Sequence, residues 1–233
     1  MYIAATLNNC DALKMALSVG AGSIQNSTLR ETIERAAEWG FYDCVQILIP
    51  LCESKAIGRA LVGAADHGRA DVLALLLPFS SVELNSEALK RAAYKGQREC
   101  LEILIAVADP THEDSEALRL AVTGHIPVGS NVPLTGHSTE CVKLLLPVSD
   151  PTAQNSEALQ LAVKYQLHEC MELLSPVSDV FAAFEELRLS SHYEKEIKQG
   201  EQYIHQYLSA KQKDILHNEI GETQTIVQKR KIL

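Results

Sequence analysis

Apolar positions along the chain fall into short paired runs that return about every 28 residues. With the register set on the small residue that opens each Ala-Ala or Ala-Val pair, the anchors are Ala4, Ala36, Ala64, Ala92, Ala121 and Ala162. They are 32, 28, 28, 29 and 41 residues apart. In the first run of each unit Ile33, Leu61, Leu89, Leu118 and Leu159 point inward. The second run is marked by Ala12, Cys44, Val72, Cys100, Cys141 and Cys170. Three and four residues later come Met15-Ala16, Ile47-Leu48, Leu75-Leu76, Ile103-Leu104, Leu144-Leu145 and Leu173-Leu174, the stripe of a buried helical face. Two amphipathic helices per unit, repeated, predict an array of stacked layers and no single central core.

Polar residues punctuate the same frame. An acid precedes the second-run marker in every unit: Asp11, Asp43, Asp71, Glu99, Glu140 and Glu169. In the first turn of a helix an acid meets the positive end of the helix dipole, worth ~0.3–1 kcal/mol per site. Gly40, Gly68 and Gly96 fall where a left-handed residue ends the first helix, with Asn8 and Gln166 in that place elsewhere. Pro50, Pro78, Pro147 and Pro176 stop the second helix. Ser27, Ser86, Ser115 and Ser156 read as N-caps of first helices.

Gly136-His137, the run from Cys141 to Leu146, Ser149-Asp150-Pro151 and Ala108-Asp109-Pro110, together with the Ala-Ala pairs, resemble the ankyrin repeat. The resemblance covers residues 1–178 and is strongest from 86 to 178. It implies an all-α, ankyrin-like helical repeat solenoid of about six helix pairs, with first helices lining a concave binding face. Ser-Glu-Ala-Leu replaces the family's Thr-Pro-Leu-His, and the period is shorter than the family's. The residues lost lie between Asp-Pro and the next helix, so the β-hairpin fingers are expected to be truncated. Short units with Ser-Asp-Pro links are similar to bacterial or mobile-element ankyrin proteins.

Two segments leave the pattern. Thr-Gly-His occurs at 123–125 and again at 135–137, bracketing an insertion in which Pro127, Gly129, Ser130 and Pro133 deny regular structure. It reads either as a neutral surface insertion or as an interaction loop presenting Ile126, Val128, Val132 and Leu134. From 179 to 233 the composition is helical. Leu189, Tyr193 and Ile197 are placed on one face and Ile204, Tyr207, Leu208 and Ile215 on another, with Gly200 and Gly221 between helices. This second segment is either a cap on the array or an oligomerisation element through which the chain forms a homo-oligomer.

Net charge is −9, and with eight acids and eight bases from 181 to 233 all of it lies in the repeats. Acidity argues against nucleic acid as a partner. No apolar run reaches the length of a membrane span, and no secretory signal is visible. Four of the six cysteines share one repeat position, as small core hydrophobes do, and no CxxC occurs. Reduced thiols place the chain in a reducing, cytoplasmic compartment, the host cytosol if it is a secreted effector. No cofactor, metal or catalytic motif is indicated. His67, His125 and His137 sit at turns, where the resemblance implies structural histidines, and Cys52 lies off the stripe.

Positions flanking the Ala pairs vary while the frame repeats, as in a binding face. They are Glu34, Arg35, Glu38 and Trp39; Asp66 and His67; Lys90, Arg91, Tyr94 and Lys95; Arg119; and Gln160, Lys164 and Tyr165. Trp39 is the candidate anchor, or else a cover for a neighbouring small residue. Lys90, Arg91, Tyr94, Lys95 and Arg98 form a basic–aromatic patch that either receives an acidic or phosphate-bearing ligand or pairs with acids of adjacent layers such as Asp66 and Glu99. The expected function is binding of another protein, with inhibition or sequestration as its use. An oligomeric scaffold and a thiol enzyme at Cys52 stand as alternatives.

Overall fold

The computed structural model describes residues 8–20, 25–124, 137–189 and 193–230, with backbone alone for 20, 137, 138 and 214–230. Thirteen α-helices and no strand run through these residues. Ala4 and the first helix expected around it lie outside them, and α1 (Cys10–Gly20) is the second helix of that unit. Five pairs follow: α2 (Asn26–Trp39) with α3 (Tyr42–Leu48), α4 (Ser54–Asp66) with α5 (Ala70–Leu76), and α6 (Val82–Lys95) with α7 (Arg98–Leu104). Then come α8 (His112–Thr123) with α9 (His137–Leu145), and α10 (Ala153–Lys164) with α11 (His168–Leu174). The chain continues into α12 (Val180–Leu189) and the 37-residue α13 (Glu194–Arg230).

First helices pack side by side in one row, second helices in another, and each pair leans on the next. Ile33, Leu61, Leu89, Leu118 and Leu159 are buried between the rows, as are Leu48, Leu76, Leu104, Leu145 and Leu174 from the second helices. Each such side chain contributes about 1.5–3 kcal/mol by leaving water. Cys44, Cys100, Cys141 and Cys170 are buried in successive layers as free thiols. The turn residues behave as their positions predict. Gly40, Gly68 and Gly96 have φ of 79°, 68° and 70°, and Asn8 and Gln166 adopt the same left-handed region. Second helices end at Leu48, Leu76, Leu145 and Leu174, just ahead of the prolines.

Side chains tie the layers at both edges. At one edge Arg69 Nε donates to the Glu38 carbonyl (3.1 Å) and Gln97 Nε2 to that of Asp66 (3.4 Å). Gln166 Nε2 donates to Val163 O (2.7 Å) and to Glu196 O of α13 (3.1 Å), so this left-handed glutamine is useful where glycine would not be. At the other edge Ser86, Ser115 and Ser156 do not cap their helices. Their buried hydroxyls accept the backbone N–H of Asp109 (3.1 Å), Asp150 (2.8 Å) and Asp179 (2.8 Å). Asp109 and Asp150 in turn accept from Thr111 and Thr152, which holds both carboxyls below their ordinary range.

Several expectations are corrected. Ser27 and Ser86 lie inside helices whose N-caps are Gln25 and Ser81. Met15 is 68% exposed, because no layer among the described residues packs beyond α1 on that side. Gly200 and Gly221 do not separate helices; both lie within α13. A Cβ on Gly200 would stand 2.7 Å from Val163 Cγ1, so the missing side chain is what lets α13 approach α10. Ile197 and Ile204 are buried on this one helix, whereas Leu189 belongs to α12 and is 80% exposed. Packing on the array continues past residue 178. α12 packs on α10 as a further first helix, and Asp179 Oδ1 caps it by accepting from Ala182 N (2.9 Å).

Candidate protein-binding face

The exposed face of the first-helix row is built from the positions that vary between repeats, and charge decides its character. Lys90 on α6 is ringed by three carboxylates, Glu87 (3.0 Å), Glu113 (2.6 Å) and Glu116 (3.1 Å), the last two from α8. Burial alone would lower the Lys90 ammonium, but hydrogen bonds to Glu113, Glu87 and Glu116 hold it above its ordinary value. Glu113 is held down to about 2, by hydrogen bonding with Glu116 and by Lys90. Arg91 pairs with Glu87 (3.4 Å), Lys95 with Asp66 (3.8 Å) and Arg98 with Glu102 (2.9 Å). Lys95 also lies 5.7 Å from the centre of the Tyr94 ring. The basic–aromatic patch of α6 is therefore largely paired with acids of its own and adjacent helices.

Arg119 and Gln160 share one repeat position and one task. Each follows a left-handed turn made without glycine: Glu113, Asp114 and Ser115 at φ 51°, 56° and 61°, and Gln154, Asn155 and Ser156 at 51°, 55° and 59°. Left-handed backbone costs roughly 1–2 kcal/mol per residue with a side chain. Arg119 donates to the Asp114 and Glu113 carbonyls (3.4 and 3.5 Å) and pairs with Glu157 (3.1 Å). Gln160 Nε2 donates to the Asn155 carbonyl (2.9 Å) and to that of Gln154 (3.4 Å). Gln154 Nε2 links the two turns through Asp114 (3.0 Å). These side chains hold backbone that would otherwise be strained.

At the ends of the row the face is more open. Trp39 is 52% exposed, its ring edge-on to Phe41 at 5.8 Å. Arg35 pairs with Glu38 (2.9 Å). One Glu34 oxygen is buried without a hydrogen bond, and Arg30 Nε stands 3.8 Å from it. His67 Nδ1 donates to the Gly63 carbonyl (3.0 Å), the structural task its turn position implied. Lys164 lies 4.7 Å from the centre of the Tyr193 ring and 5.4 Å from that of Tyr165, which couples this end to the segment entering α13. Ile126, Val128, Val132 and Leu134 lie outside the described residues, as do the side chains of His125 and His137.

Nothing in the thiols resembles an activated nucleophile. Cys52 is half-buried, and burial, then Glu53, pushes its thiol up to about 11. Cys44 lies 2.9 Å from Cys10, Sγ to Sγ; burial and that contact push it up to about 12. A catalytic thiol needs the opposite shift. No group of three or more potential metal ligands occurs among the described residues, nor any described helix long and apolar enough to cross a membrane.

The sequence reading missed three cations of the N-terminal repeats: Arg30, Lys55 and Arg59. They sit nearer the start of α2 and α4 than the positions flanking the Ala pairs, around a cavity of about 190 Å³. The clue was available: the repeat position of Arg59 is filled by Glu87, Glu116 and Glu157 in later units.

No family model and no curated protein matches the chain. Among solved structures it is similar to the crystal structure of the human ASB11 ankyrin repeat domain. The TM-score is 0.58 at 23% identity, over 76% of this chain and 82% of that one. The chain thus has the ankyrin-repeat fold.

Proposed function

We propose that this chain is a non-enzymatic array that seats a partner protein across the exposed face of its first helices and thereby sequesters or inhibits it. An effector or immunity-type inhibitor working in a reducing cytoplasm fits that role. The supporting observation is Trp39, a large aromatic left half-exposed on the variable face while the repeated frame beneath it is closed. Binding hot spots are enriched in tryptophan, and truncating one costs about 2 kcal/mol or more. Affinity capture with the full chain, read by mass spectrometry, tests this. Trp39→Ala should deplete the main captured protein by about tenfold or more. Lys143→Glu, on a second helix, should leave it in place. Capture that survives Trp39→Ala but fails on deletion of 126–137 would move the site to the insertion.

One observation favours a second reading, assembly through the C-terminal helices: Phe181 and Leu189 on α12 are 74% and 80% exposed. Sedimentation of the full chain against its Phe181→Asp/Leu189→Asp variant separates the two. An oligomer in the first and a monomer in the second would support assembly, and two monomers would remove it.

A further inference from the structure

The cations of the first-helix face divide into two sets. From α6 to α10 they are held by carboxylates, backbone carbonyls or aromatic rings of the array itself. On α4 the pattern inverts. Lys55 and Arg59 stand one turn apart, both exposed, and neither has a hydrogen bond or ion pair with any described residue. Val62 occupies the place of Lys90, so the hub that organises the later repeats is absent here. Across from them Arg30 on α2 reaches only Glu34, at 3.8 Å.

These three cations border the cavity between the opening turns of α2 and α4, where Leu29 and Leu51 supply apolar wall. The one acid in that lining, Glu53, is engaged by Asn26 Nδ2 at 2.8 Å. Neither helix start is capped by a side chain, so the partial positive charge of both ends adds to that of the cations. At about 190 Å³ the space is below the ~300 Å³ of a drug-sized ligand site and suits one side chain with its neighbour.

We propose that this cavity is a subsite for an acidic peptide segment of the partner. A carboxylate would be held among Arg30, Lys55 and Arg59, with an adjacent aliphatic side chain against Leu29 and Leu51. The assignment rests on the protein-binding reading above and adds the partner's chemistry. On a chain of net charge −9, a basic site with two cations left unpaired by the described residues attracts an acidic segment locally while the rest of the surface repels acidic proteins at large, which gives selectivity.

The test is fluorescence anisotropy with the full chain and three labelled peptides: alternating Glu and Leu, alternating Gln and Leu, and alternating Glu and Ser. The Glu/Leu peptide should bind about tenfold tighter than either of the others, and Lys55→Glu/Arg59→Glu should erase the difference. Lys143→Glu, on a second helix, should keep it, and circular dichroism should show both variants folded. Equal binding of Glu/Leu and Glu/Ser would reduce the site to a general anion contact and overturn the proposal. So would unchanged binding by the double variant, or no binding of any peptide. If the double variant still retains a partner that Trp39→Ala loses, the subsite falls and the protein-binding reading stands.

Discussion

A buried serine has to find a partner for its hydroxyl, and Ser86, Ser115 and Ser156 find the same one. Each accepts the backbone N–H of the aspartate that closes its unit, 23, 35 and 23 residues further on. Residue type and the following glutamate suggest local caps, and in sequence these serines cannot be told from caps. The donor is a whole helix pair away, so no short window contains it. The expected consequence is that Ser115→Ala leaves the Asp150 N–H without its acceptor and costs about 1–2 kcal/mol, read as a lower urea midpoint. Ser27→Ala, whose side chain is exposed, should change the midpoint little. Equal effects at the two sites would mean that the hydroxyl of Ser115 is incidental.

Among elements, the helix pairs were legible because their evidence is local: apolar spacing, a left-handed residue between helices, an acid in the first turn, a proline after the last. Contacts between layers were not. The turns at Glu113–Ser115 and Gln154–Ser156 contain no glycine to announce them; Arg119 and Gln160, on the following helical turns, hold them. Gly200 reads as a helix boundary because glycine usually weakens a helix, yet it lies within α13 facing Val163. Two opposed effects decide what a methyl there would do. Alanine gains up to ~1 kcal/mol of helix propensity, while overpacking costs about 1–3 kcal/mol. Gly200→Ala should therefore be destabilising by up to about 2 kcal/mol. In a Val163→Ala background the obstructing methyls are gone and the same change should become neutral or stabilising. Urea melts of the four chains give the coupling directly, and strict additivity would show that α13 does not bear on α10 at this point.

For the whole molecule, the stacking that builds the face also sets its response to pH. The candidate face was half legible: its positions follow from the repeat, but which cations remain available depends on Glu113 and Glu116 reaching Lys90 from the next layer. The thiol column has a similar collective effect. Burial, followed by the acid that precedes each, pushes Cys100 up to about 11; burial again leads the rise of Cys141 and Cys170 to about 11. In the unfolded chain these groups return to an ordinary thiol value near 9. Above that pH the unfolded state has released protons that the folded state still binds, so stability falls as pH rises. The stabilisation is complete below about 9 and is lost progressively as pH climbs through about 11. Lys90 acts in the same direction, since its folded value is raised as well. Thermal melts across that window should show a steep alkaline decline, flattened in a Cys100→Ala/Cys141→Ala/Cys170→Ala chain even though that chain starts from a lower midpoint. A decline of equal slope in both would mean that the buried thiols do not govern alkaline unfolding and that the lysines do.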